Sequence, residues 1–284
     1  NSISSIDDIS SINRLDWFPS AHLSFKYDTE NQFKASASRR INRPRSWHLE
    51  PFIAWEDPFT VRQGNPDLLP EYIQSYEIGY INQFNKGSFS AELYYRNTKN
   101  IRERIQQVYD TNIIIKRPVN AGVSNALGLE LSYNNQFYSW WTLDLGANLF
   151  YYQIIGKIPG SSLDQETFTY RTRLANSFIL KENLKIQFVT NYIADVVTVQ
   201  GIDKGFISFD IAVKKDFKDG KFSSSFQMQN IFNTERRETW VRTPLLYSYR
   251  LAIPRWPVFT FSFSLRLNNY NNKDEIQLEK GSEF

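Results

Sequence analysis

The chain has 284 residues and no cysteine, which excludes disulfide frameworks and thiolate metal sites. Its 33 Lys and Arg against 30 Asp and Glu leave a net charge of +3, well short of the basic excess of a nucleic-acid binder. Mean hydropathy is −0.47, and no apolar run approaches the roughly 20 residues of a spanning helix, so a helical membrane protein is excluded.

That low hydropathy does not exclude a membrane, because every second residue of a transmembrane barrel strand faces the lumen. The 16% aromatic content suits interfacial girdles, and equally an aromatic-rich soluble β-sandwich. The opening stretch NSISSIDDISS lacks both a basic region and an apolar core. It is therefore not a signal peptide, and 1–13 reads as loop or linker. An exported protein with such a start has either lost its signal or is a piece of something longer.

From there the chain alternates. A first strand over 14–27 sets Ala21, Leu23, Phe25 and Tyr27 against His22, Ser24 and Lys26, and 32–40 returns. The segment 41–71 is a long loop rich in Pro, Trp and charge. In 72–84, Tyr76, Ile78 and Tyr80 share one face and Glu77 and Gly79 the other; Asn85-Lys86-Gly87 turns the chain. The next strand runs from Ser88 to near Tyr109 and its partner over 113–133. A strand over 141–154 then leads to a Gly/Pro/Ser loop, 156–165.

Hairpins follow at 167–180 with 184–194, and at 206–217 with 221–232. A long loop to about Arg255 precedes the closing strand, VFTFSFSLRL. There Phe259, Phe261, Phe263, Leu265 and Leu267 oppose Thr260, Ser262, Ser264 and Arg266 without a slip. Residues 269–284 are a polar tail predicted to be disordered.

One face of these strands is aliphatic in mid-strand and aromatic near the short turns, at Tyr27, Phe33, Phe84, Phe89, Tyr133, Trp141, Phe217 and Phe222. That is a girdle at one membrane interface, and a soluble sandwich has no reason to gather aromatics at one end. The other face carries Glu77, Glu92, Arg96, Glu130, Asp144, Asp210 and Arg266, with Lys185 and Lys214. These mixed charges suit a watered or plugged lumen. The fold class is therefore all-β, an antiparallel transmembrane β-barrel of about eleven strands over 14–268. Short turns are periplasmic in such barrels and strand numbers even, so an odd set entering a short turn reads as the C-terminal part of a larger barrel. Both end strands then need partner strands, since an open edge cannot face lipid.

Several segments resemble the barrel of TonB-dependent receptors, most closely the outer membrane protein β-barrel family common in Bacteroidetes. They are SRRINRP (38–44), the PF and DPF pieces, GNPDLLPE (64–71) running into SYEIGY (75–80), LGLELSY (127–133), QG (200–201), NIFN (230–233) and the terminal FTFSFSLRL. The resemblance implies a plugged barrel of about twenty-two strands in the bacterial outer membrane. It implies import of a scarce ligand (glycan, peptide or metal chelate) driven by the TonB complex. The implied partners are the N-terminal barrel half and plug, outer-membrane lipid and lipopolysaccharide, and a surface lipoprotein.

Catalytic signatures are missing: no GxSxG elbow, Walker loop or HExxH occurs, and no cofactor or metal site is predicted. His22 and His48 read as lumen or loop residues, and Glu77 and Glu92 as a pair facing across the 85–87 hairpin beside Arg96. The loop at 41–71 is the leading recognition candidate, with Arg43, Trp47, His48 and Trp55 offering aromatic faces and polar edges. The late loop adds Arg237, Trp240 and Arg242 among further arginines suited to an anionic lipid or substrate. The chain reads as a non-enzymatic receptor; the rivals are a structural barrel holding partner proteins and a soluble binding module.

Overall fold

The structure, a computed structural model, describes residues 15–181, 183–217 and 221–266. The linker 1–13 and the tail 269–284 lie outside the described residues. One sheet dominates, and its continuous path contains β1 (Ser20–Lys26), β2 (Asn31–Asn42), β5 (Glu71–Phe84), β6 (Gly87–Asp110), β7 (Ile113–Tyr138) and β8 (Trp141–Ile158). It continues through β9 (Ser161–Leu180), β10 (Leu184–Ile193), β13 (Phe206–Phe217), β14 (Phe222–Gln229) and β17 (Val258–Leu265). Among the described residues that makes eleven strands on this path, each antiparallel to its neighbour, with β1 and β17 as open edges.

Register carries the alternation across the whole sheet. Leu23 pairs with Ala35, Ala35 with Ile78, Ile78 with Leu93, Leu93 with Leu129 and Leu129 with Leu149. All of these lie on one outer face. On the closing strand Phe261 is 68% exposed and Phe263 72%. A sandwich would bury those rings between two sheets; here they form an open apolar band. The opposite, inner face is the more shielded one: Ser75, Ala175 and Val189 on it are buried.

The band has a definite height. On β6 the outer face runs from Gly87 at the short turn through Phe89, Ala91, Leu93 and Tyr95 to Asn97. Ten steps of about 3.3 Å, tilted about 40°, give roughly 25 Å, the apolar height of an outer-membrane barrel. The remainder of β6, to Asp110, projects beyond the bilayer together with much of β7. The buried apolar cluster lies in that projection: Ile101, Ile105, Ala121, Ile154, Ile158 and Val199.

Four predicted elements are corrected. The first strand begins at Ser20, because the stretch before it makes no ladder; Arg14 lies outside the described residues. The predicted loop at 156–165 is the extended end of the β8–β9 hairpin, paired from Ile158 to Ser161 around Pro159-Gly160. Gly160, at φ +83°, supplies the left-handed turn that permits so tight a reversal. The long segment after β2 holds α1 (Ser46–Leu49), β3 (Ile53–Asp57) and β4 (Thr60–Gln63), with β4 parallel to β7.

The late loop is likewise structured. β15 (Arg237–Arg242) and β16 (Tyr247–Ala252) join β11 (Val196–Thr198) and β12 (Gly201–Asp203) in a separate four-stranded sheet. Cross-strand aromatic packing holds it, with Trp240 and Tyr249 ring centroids 4.5 Å apart.

Candidate functional site

The inner face is built level by level from register. Glu92 lies opposite Gly79 on β5 and Glu130 on β7; Glu130 in turn lies opposite Asn148, and Asn148 opposite Arg171. Glu77 sits one level up, so Glu77 and Glu92 are diagonal neighbours and not a facing pair. Ser36 and Ser75 donate to the Glu77 carboxylate at 2.8 and 2.9 Å. Arg96 bridges neither acid; its guanidinium lies over the Tyr94 ring at 5.7 Å. Tyr94 donates its hydroxyl to Asn148 at 3.0 Å. Its ring crosses Gly128 so closely that a Cβ there would meet Tyr94 Cζ at 2.5 Å.

Asp144 accepts a hydrogen bond from Asn134, and Asp210 accepts from the Asn230 amide at 2.8 Å. Arg266 follows β17 on the inner-face parity, and its amide donates to Lys221 at 2.8 Å. The predicted inner-face residues thus share one side of the sheet but form separate hydrogen-bonded groups.

Two arginines that the sequence reading passed over stand out. Arg171 and Arg173 both face inward on β9, are exposed, and make no ion pair among the described residues. With Glu130, Asp210, Glu235 and Arg237 they line a cavity of about 620 Å³. Arg237 pairs with Glu235 at 2.7 Å and covers the Phe206 ring at 6.0 Å. The i, i+2 spacing of TYRTRLAN carried the signal, since it places both guanidinium groups on the face of Glu130 and Asn148.

Beyond the bilayer the segment after β2 is strapped to the strand wall by the GNPDLLPE motif. Asn65 donates to the Pro118 carbonyl at 3.2 Å. Asn120 accepts from the Leu69 amide at 2.8 Å and donates to the Leu69 carbonyl at 3.1 Å. Glu71 takes the Arg102 amide at 2.7 Å, its guanidinium at 3.4 Å and Asn42 at 2.6 Å. Gly64 fits because a Cβ would meet the Glu50 carbonyl at 2.5 Å.

The strap positions α1, where Trp47 packs on His48 at 3.7 Å and Arg104 lies over Trp47 at 5.4 Å. Partial burial, helped by Arg102, Arg104 and Arg45 and opposed by Glu71, lowers the His48 pKa, so its Nδ1 is free to accept the Arg45 amide at 3.0 Å. Arg43 and Trp55 are exposed, the latter by 62%. Trp47 and His48 are therefore brought together, and no ring contact or hydrogen bond joins Arg43 or Trp55 to them among the described residues. Trp240 packs on β16, and Arg242 is exposed at the end of β15.

The late sheet docks against the projecting wall through the turn between β11 and β12. Val199 enters the buried cluster, and the Gln200 side chain accepts from the Gln106 amide at 2.6 Å and donates to the Gln106 carbonyl at 3.0 Å. Near this contact, burial first and then the Glu71 and Asp203 charges push the Glu103 carboxyl up to about 7.

An open sheet with an apolar outer band, a charged inner face and an elaborated end is the geometry of part of an outer-membrane β-barrel. The sequence matches, over residues 2–276, the model of the outer membrane protein beta-barrel family. The chain belongs to that family. This family member therefore resides in the bacterial outer membrane. No curated protein sequence matches it. Among solved structures it resembles the siderophore receptor PirA from Pseudomonas aeruginosa, with TM-score 0.57, 17% identity, and coverage of 88% of this chain and 42% of that one. It also resembles the ferric enterobactin receptor PfeA from the same organism (TM-score 0.55, 14% identity, 78% and 36% coverage). The FrpB iron transporter from Neisseria meningitidis is similar too, with TM-score 0.55, 14% identity, and 87% and 39% coverage. The β-barrel chain thus spans about two fifths of the receptors whose fold it shares.

Proposed function

We propose that this chain is the C-terminal barrel portion of an outer-membrane uptake receptor that captures a scarce ligand at its extracellular end and passes it through a plugged lumen with TonB-derived energy. The observation that supports this most directly is the inner cavity beside Arg171 and Arg173. It lies below the late sheet, with charged groups that have no partner among the described residues. An inner wall whose cations are left unpaired suits a polar occupant, either the ligand or a plug contributed by the rest of the barrel. Arg43, Trp47, His48, Trp55, Arg237, Trp240 and Arg242 sit on the extracellular elements and are assigned to first capture. The remaining proposed partners are the N-terminal barrel half, the TonB complex, lipopolysaccharide and a surface lipoprotein.

The test is growth of a strain lacking the full-length protein on ferric chelates, oligosaccharides or oligopeptides as the limiting nutrient. A defect confined to one class, reproduced by an Arg171→Glu, Arg173→Glu double variant that still folds, is the expected result. Growth equal to the parent on every class sinks the uptake reading and leaves a structural barrel.

A further inference from the structure

On the outer face of β1, β2, β5 and β6 lies an apolar groove of about 380 Å³. Its floor is Ala21 and Ala37, opposite one another by register, with Ala35 two residues along β2 from Ala37, and its walls are Leu23, Ile78 and Leu93. The three alanines leave a trough between these aliphatic walls. The groove ends at the upper edge of the band, where Tyr76 and Tyr95 stack at 6.5 Å and Tyr95 donates to Asn125 at 3.0 Å.

One step above Ala37 on the same face is Arg39, and at the next level Lys99 lies opposite Tyr72. Arg39 makes no salt bridge among the described residues, its Nε has no hydrogen-bond partner, and its guanidinium lies over the Tyr72 ring at 5.3 Å. Asp16, the carboxylate nearby, accepts the Tyr72 hydroxyl at 3.1 Å.

We propose that this groove is a binding site for a phosphate-bearing glycolipid of the outer leaflet, with one acyl chain along the alanine floor and a phosphate at Arg39. The two halves of the site match the two halves of such a lipid. The trough lies within the hydrocarbon layer, and Arg39 and Lys99, which make no ion pair among the described residues, sit at headgroup depth, where a charged side chain reaches the interface. The inference rests on the outer-membrane placement of the strands and not on uptake.

The experiment is native mass spectrometry of the full-length protein in detergent with three probes: bis-phosphorylated lipid A, its dephosphorylated form, and phosphatidylethanolamine. The wild type is expected to retain bis-phosphorylated lipid A at least about fivefold better than either other probe, as for an ion pair of roughly 1 kcal/mol. Ala37→Phe, which fills the trough, and Arg39→Gln should each abolish that preference; Arg39→Lys should keep it, as should Ala147→Phe elsewhere on the outer face. Equal retention of the three lipids by the wild type overturns the site, as does unchanged preference in both Ala37→Phe and Arg39→Gln. The comparison of probes on the wild type decides the matter even where a variant fails to fold.

Discussion

Side chains on the two faces of one strand meet different solvents, and β17 shows this at adjacent positions. Phe261 points into the apolar band, so Phe261→Arg places a cation at mid-bilayer depth at a cost of about 2–4 kcal/mol. Ser262→Arg, on the inner face, should assemble like the wild type. Heat-modifiable electrophoretic mobility of the full-length protein measures both, and equal assembly of the two variants would contradict the face assignment. Gly128 makes a second residue-scale case. Gly128→Val drives a side chain into the Tyr94 ring and should lose about 1–3 kcal/mol of stability. Tyr94→Ala in the same chain should recover part of that loss in a urea melt, the rest remaining because a Cβ at 128 also meets Phe150 Cβ at 2.7 Å. If the double variant is no better than Gly128→Val alone, the ring is not what the glycine accommodates. The sequence placed Gly128 and Tyr94 on the inner face; that they touch depends on pairing between β6 and β7.

Among elements, the late sheet is the one whose attachment responds to pH. Glu103 has a pKa of about 7 against an ordinary 4.5, raised by burial and by Glu71 on β5 and Asp203 on β12. Because the docked state raises the pKa, it holds the proton more tightly than the freed state does. Docking is therefore unopposed below the ordinary value and weakens as pH climbs toward about 7, by the part of the shift that Asp203 and burial under the late sheet supply and not by the Glu71 part, which stays with β5. Hydrogen exchange at the Gln106 amide, corrected for the intrinsic rate, should accelerate across that window, and Glu103→Gln should flatten the response. An exchange rate indifferent to pH in the wild type would sink this account. Gln200→Ala should raise exchange at the same amide at every pH, because it removes both bonds to Gln106. None of this docking was legible from the sequence. The strands of the late sheet are only three to six residues long, too short for their alternation to rise above that of a charged loop.

At the scale of the molecule, the sheet of the described residues remains open between β1 and β17, and the chain spans about two fifths of the receptors it resembles. Unpaired strand edges within hydrocarbon cost several kcal/mol per unsatisfied group, so closure needs further strands. The 284-residue chain alone, refolded in detergent, is expected to aggregate and show no heat-modifiable band, whereas the full-length polypeptide should show one. A stable, heat-modifiable species from the isolated chain would mean that its own edges pair.

A second aromatic belt, with Tyr76, Tyr95 and Tyr151 in one row of the register at the upper edge of the band, faces the girdle that the sequence places at the short turns. It was missed because those tyrosines lie mid-strand in sequence, and only the paired sheet shows that they share a level.

The division between what was readable and what was not follows from range. A strand's period is set by bonds between neighbouring residues, so the amino-acid order by itself determined which side chains meet lipid and which meet the interior, and with that the barrel class. Register joins residues tens of positions apart. It took the folded sheet to set Glu92 opposite Glu130, line three alanines into a trough, leave Arg171 and Arg173 without an ion pair among the described residues, and seat Val199 among residues from three strands. Those juxtapositions depend on where distant segments dock, which no local pattern specifies.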